Sequence, residues 1–149
     1  MSCIFCDIAK GGVRPFVWED EKHVAFITPF PNTPGVTVVI TKEHHSSYIF
    51  DLPEPVRAGL VEAAGKVAKL LDKLPGVGRT ALVFEGFGVN HIHAKLYPLH
   101  GTDIPEWKPI NSNSDSFTET YQGCISSHDG PRWDEARLLE MTNLIKGEE

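Results

Sequence analysis

The run Glu85-Gly86-Phe87-Gly88-Val89-Asn90-His91-Ile92-His93-Ala94-Lys95-Leu96-Tyr97-Pro98 constrains the fold more than any other part of the chain. Two glycines open it and supply backbone that can turn or approach a ligand closely. From His91 onward basic and apolar residues alternate, which is the two-residue period of a strand. His91, His93 and Lys95 are therefore expected on one face, and Ile92, Ala94 and Leu96 on the other. Two imidazoles and an ammonium make a poor core. They suit anion binding, metal ligation, or attack on a phosphorus or acyl centre. A solvated sheet face could carry the same residues unused, but the Gly-x-Gly lead-in and the closing Pro98 favour a site.

The remaining pattern supplies partners for this strand. Residues 16–20 and 24–28 read as a hairpin around a turn at Asp20-Glu21-Lys22. Three prolines keep 29–35 out of any regular ladder. Residues 36–40 are β-branched throughout and read as a central strand. Between 51 and 74, Val56, Leu60, Ala64, Val67, Leu70 and Leu71 form one helical stripe, with Pro53 and Pro55 at its start and Pro75-Gly76 at its end. Residues 79–84 form a strand that enters the histidine strand through a short loop at Gly86–Gly88. From His100 to Thr120 the composition is that of a loop, in which Trp107 is expected to pack over a core edge. Gly130-Pro131 precedes an amphipathic helix expected over 133–145, and Cys124 reads as a buried or half-buried thiol.

The formal net charge of −6 argues against a general DNA or RNA binder, which would more often be basic. A small phosphorylated ligand needs only a local positive site. The N-terminus carries no basic leader or long apolar run, so a cytoplasmic protein without a membrane span is expected. Three cysteines, an odd number, fit a reducing compartment. Cys3 and Cys6 form a C-x-x-C with almost nothing before it. A redox pair would follow a buried strand, a zinc half-site would need two more ligands, and two unremarkable thiols need nothing. Lys42-Glu43-His44-His45 follows the central strand, and at most one of His44 and His45 would share a site with the cysteines.

At His91-Ile92-His93-Ala94-Lys95-Leu96-Tyr97-Pro98 the chain resembles the histidine triad (HIT) family, whose strand motif is His-φ-His-φ-His-φ-φ. The resemblance extends backwards through Lys42-Glu43-His44, the strand 35–40, Ala25-Phe26, 18–20 and Cys3-Ile4-Phe5-Cys6. It implies an α+β fold: an antiparallel sheet with one long and one short helix, here spanning 1–110. Residues 111–149 would be a C-terminal extension with a helix, packed on the same domain. It further implies a homodimer that acts on the α-phosphate of a nucleotide phosphoanhydride or phosphoramidate, such as a dinucleoside polyphosphate. His93 would be the nucleophile and carry a nucleotidyl intermediate, with Lys95 neutralising phosphate charge. Thr28, Asn32, Gly88 and Asn90 would lie toward substrate. The zinc-containing members imply a structural zinc on Cys3, Cys6, His44 and His91, with His45 the competitor of His44.

The sequence departs from the family pattern at three places. Lys95 replaces the third histidine, Phe87-Gly88 stands where hydrolase members have Gln-Ser, and Thr28 stands where an acidic residue grips the ribose. These departures give weight to an alternative, a catalytically weak or inactive nucleotide-binding or regulatory HIT protein. A C-x-x-C thiol oxidoreductase is the third reading.

Overall fold

A computed structural model describes residues 2–147. The chain divides into two compact units that meet between Glu106 and Trp107. The first unit contains α1 (Ile4–Ala9), β1 (Trp18–Glu19), β2 (His23–Ile27), β3 (Thr37–Thr41), a 3-10 turn (Ile49–Asp51), α2 (Glu54–Leu71), β4 (Val77–Val83) and β5 (His93–His100). The strands form one antiparallel sheet in the order β1-β2-β3-β5-β4. With the helix of the second unit, the chain is an α+β protein with a five-stranded antiparallel sheet and three helices among the described residues.

Each sheet face carries its own apolar cluster. On one side Ile92, Ala94, Leu96, Ala25 and Val39 pack with Leu60, Ala63, Ala64, Val67 and Leu71 of α2. Fully burying a Leu, Ile or Val is worth roughly 1.5–3 kcal/mol, so the stripe read from the sequence is what fixes α2 on the sheet. On the other side Val24, Phe26, Val38 and Ile40 pack with Ile8, and Phe5, Ala9 and Phe16 border them. The expected alternation thus holds across β5, but its histidine face is not wet. His91 is 0% and His93 8% exposed, because Phe5 of α1 sets its ring edge-on against both imidazoles.

The connection between β4 and β5 differs from the expected short hairpin. β5 begins only at His93, and 84–92 contains no strand. The reason lies in Ser47, which anchors this loop at two points and prevents it from continuing the ladder. Its Oγ donates to the Gly86 carbonyl at 2.8 Å, and its N–H donates to Asn90 Oδ1 at 3.0 Å.

The second unit, from Trp107 onward, contains α3 (Glu135–Lys146). Asp134 caps it by accepting from Arg137 N–H at 2.8 Å, and Gly147 ends it. No residue of α3 is buried, although the sequence reads as an amphipathic helix. Arg137 instead stacks on Trp133, 3.9 Å from the ring centroid. Trp107 is 71% exposed rather than packed on a core edge, and Cys124 is exposed rather than buried. The unit is rich in polar loop residues and offers these side chains no apolar layer. Among the described residues, no helix is long and apolar enough to cross a membrane.

The β1–β2 turn is held by Asp20, whose Oδ1 accepts from the N–H groups of Lys22 (2.9 Å) and His23 (2.7 Å) and from His23 Nδ1 (3.0 Å). Burial opposes ionisation here, but the two backbone donors and His23 outweigh it and hold the carboxyl below its ordinary value. A depressed carboxyl stabilises the fold above its unfolded value of ~3.9 and loses that contribution as pH falls through the folded value. The side chain is 38% exposed, so the electrostatic share is small. Asp20→Ala is expected to cost about 1–2 kcal/mol at pH 7, with the deficit narrowing below about pH 4. Urea melts at pH 7 and pH 3 measure this, and a deficit independent of pH would show that ionisation contributes nothing.

Candidate active site and metal centre

The N-terminal cysteines reach the sheet through the geometry of α1. Cys3 is the N-cap of the helix and its sulfur accepts from Cys6 N–H at 3.4 Å, so one turn places both sulfurs on the same side. They meet His91, whose Nδ1 lies 3.5 Å from each of Cys3 Sγ and Cys6 Sγ. His44 Nδ1 approaches Cys6 Sγ to 3.3 Å. The four ligand atoms of Cys3, Cys6, His44 and His91 lie within 4.8 Å of one another and could hold a metal ion. His45 is not one of the four, and its Nε2 lies 3.9 Å from a Glu43 carboxylate oxygen.

The protonation of His91 follows from its second nitrogen. Nε2 is 2.8 Å from the Thr41 carbonyl, which can only accept, so Nε2 carries the proton and Nδ1 offers its lone pair to the cluster. Burial pushes the His91 imidazolium toward deprotonation. The Thr41 carbonyl opposes this, and the neighbouring His44, His93 and His45 reinforce it. A neutral imidazole is the ligating form. Burial and the adjacent Cys3 sulfur push the Cys6 thiol up, the direction a bound cation would reverse.

The same reasoning applies to His93. Its Nδ1 is 2.7 Å from the His91 carbonyl, so Nδ1 donates and Nε2 keeps a lone pair. Burial lowers its pKa most strongly; the His91 carbonyl raises it, Lys95 lowers it and Glu85 raises it, with a net lowering. The ring is therefore neutral near pH 7, as a nucleophile must be. Lys95, two residues on, is half-buried, with Nζ 5.9 Å from the centroid of the Tyr97 ring.

The remaining expected site residues are less closely gathered. Thr28 Oγ1 accepts from Phe30 N–H at 3.2 Å and shapes the loop after β2, while Asn32 in that loop is exposed. No hydrogen bond joins either to His93 among the described residues. The Asn90 carboxamide oxygen is engaged by Ser47. Gly88 is exposed, with open space where a Cβ would stand. Three participants carried no assigned role in the sequence reading: Phe5, which covers both rings; Thr41, which orients His91; and Glu85, which acts electrostatically on His93. None of the three had a readable signal: Glu85 lies in the 84–92 loop, where strand parity does not carry through.

The HIT domain matches residues 14–101, and the chain belongs to that family. A 16.1 kDa HIT-like protein of Mycoplasma pneumoniae is 34% identical over 108 residues, covering 69% of this chain and 75% of the relative. The adenosine 5'-monophosphoramidase hnt1 of Schizosaccharomyces pombe is 33% identical over 105 residues, covering 67% of this chain and 72% of that one. The crystal structure of a Zn-bound histidine triad family protein from Mycobacterium smegmatis shares the fold, with TM-score 0.63 and 23% identity over 99% of both chains.

The loop that precedes β5 depends on Gly86. Its φ is +82°, and a Cβ there would stand 2.8 Å from the Ser47 carbonyl oxygen. Gly86→Ala is expected to destabilise by about 1–3 kcal/mol through the left-handed backbone and the clash. Gly88→Ala, with open space, should cost under about 1 kcal/mol. Thermal melts of the two variants compare them, and equal losses would contradict the assigned role of Gly86.

Proposed function

We propose that the protein is a nucleotidyl hydrolase or transferase working through a nucleotidyl-histidine intermediate on His93. The observation that carries this reading is the 2.7 Å bond from His93 Nδ1 to the His91 carbonyl, which leaves Nε2 as a neutral, oriented nucleophile. Nε2 attacks the α-phosphorus, the Nε2–P bond forms, and the P–O or P–N bond breaks with its electron pair departing on the leaving group, an amine nitrogen taking a proton from solvent as it leaves. Lys95 stabilises charge on the phosphoryl oxygens as a point charge. Water or another acceptor then releases the nucleotide. The phosphoramidase relative from Schizosaccharomyces pombe supports a phosphoramidate or phosphoanhydride as substrate class. The small exposure of His93, 8%, favours the second reading, a nucleotide-binding protein with little turnover.

We further propose that Cys3, Cys6, His44 and His91 hold a structural zinc ion. Zinc bonds of about 2.3 Å to sulfur and 2.0–2.1 Å to nitrogen place tetrahedral ligand atoms about 3.3–3.8 Å apart. The S···N separations of 3.3 and 3.5 Å fall in that range. The closed Cys2His2 set leaves no position for substrate, so the ion would staple α1 to the sheet and supply no chemistry to the reaction.

Incubation with adenosine phosphoramidates and dinucleoside polyphosphates is expected to give an acid-labile nucleotide adduct on His93. It should be absent in His93→Asn, with turnover falling at least about 100-fold. Nucleotide binding without any adduct across such a panel would leave the binding-protein reading in place. Metal analysis should find one zinc per chain, lost in Cys3→Ser together with several degrees of melting temperature. A metal-free protein with a reversible Cys3–Cys6 disulfide would instead support the thiol oxidoreductase.

A further inference from the structure

Phe5 stands between the two cysteines of α1, so the helix that carries the sulfur pair also carries the ring that covers His93. The hold of α1 on the sheet has two parts. Ile8, Phe5 and Ala9 pack on the apolar cluster of Val24, Phe26, Val38 and Ile40. Cys3 and Cys6 meet His91, and Cys6 also meets His44. Among the described residues no backbone hydrogen bond runs from α1 to the sheet. A helix of six residues has little stability of its own. Loss of the sulfur contacts would therefore leave the Phe5 end of α1 held by apolar packing alone.

The sulfurs are also a reachable part of the cluster. His91 is fully buried, whereas Cys3 and Cys6 are each partly exposed and neither is in a disulfide. Their sulfurs lie within 4.8 Å of each other, and a spacing of three residues across one turn is inside the range a disulfide spans. Such a disulfide would close on α1 itself and tie nothing to the sheet. We propose that the Cys3–Cys6 pair is a peroxide-sensitive latch, whose oxidation to a disulfide frees α1 and uncovers His93. The latch rests on the zinc site proposed above and not on any reaction at His93. One thiolate attacks a peroxide oxygen: the S–O bond forms, the O–O bond breaks, and hydroxide departs with the electron pair. The other thiolate attacks the oxidised sulfur: the S–S bond forms, the S–O bond breaks, and a second hydroxide departs. The sulfurs together lose two electrons and the peroxide gains them. Disulfide sulfurs are no longer thiolate ligands, so His44 and His91 are left as half of a tetrahedral set.

The test uses the full-length, zinc-loaded protein carrying Cys124→Ser, which removes the exposed third thiol, treated with hydrogen peroxide. A chromogenic chelator follows zinc release, the mass of the tryptic peptide 1–10 reports the disulfide, and the rate of acylation by diethyl pyrocarbonate reports access to His93. Zinc release and disulfide are expected to rise together, with His93 acylated at least about tenfold faster. Dithiothreitol with added zinc should restore slow acylation, a recovery that oxidative damage elsewhere would not allow. Phe5→Ala should be acylated fast before any oxidation while keeping its zinc, because the ring is what the latch positions. Oxidation that leaves zinc bound, zinc release with the His93 rate unchanged, or slow acylation of Phe5→Ala would each overturn the latch and leave the metal site standing. A protein that takes up no zinc would overturn the metal site and the latch together.

Discussion

The structure turns on the His91 imidazole. It is fully buried, and its two nitrogens serve different parts of the chain: Nε2 donates to Thr41 at the end of β3, and Nδ1 faces the two sulfurs at the start of α1. One ring therefore joins the N-terminus, the central sheet and the loop that enters β5. Its backbone carbonyl also receives the Nδ1–H of His93. The residue that organises the sulfur–nitrogen cluster thus fixes the tautomer of its neighbour, so the cluster and His93 are coupled through one peptide unit rather than through a long relay. A polar group this deeply buried is tolerated only because both nitrogens find partners.

Most of this arrangement was legible because it is periodic. The alternation from His91 to Leu96 assigned each side chain to its face, and the stripe from Val56 to Leu71 identified the helix that covers the apolar one. The C-x-x-C and the histidine after β3 became a cluster only through the family resemblance, since spacing alone could not choose between His44 and His45. Contacts between distant parts of the chain were not readable. Phe5 closes over His91 and His93, and Ser47 reshapes the loop before β5; neither has a local signal, because each acts across many residues. The burial of the histidine face is the consequence. After Glu106 the limit is different in kind. The helical pattern was present, but a pattern predicts only which face could be buried, and α3 buries none of its residues.

Lys95, which stands where the family resemblance implies a third histidine, gains meaning from the charges around it. The chain as a whole is anionic, with a formal net charge of −6. A zinc ion on two thiolates and two neutral imidazoles sums to zero, so the proposed metal would add no net attraction for phosphate. His93 is neutral, held so by burial. In the proposed reaction Lys95 would be the positive group that the motif supplies to an incoming phosphate, on a half-buried side chain whose Nζ lies 5.9 Å from the centroid of the Tyr97 ring. A third histidine, neutral at the same pH, could donate a hydrogen bond but would not supply a full charge. Glu85 opposes Lys95 at the His93 ring, and in the proposed reaction the Lys95 ammonium would attract phosphate by charge where an imidazole would recognise it by hydrogen-bond geometry.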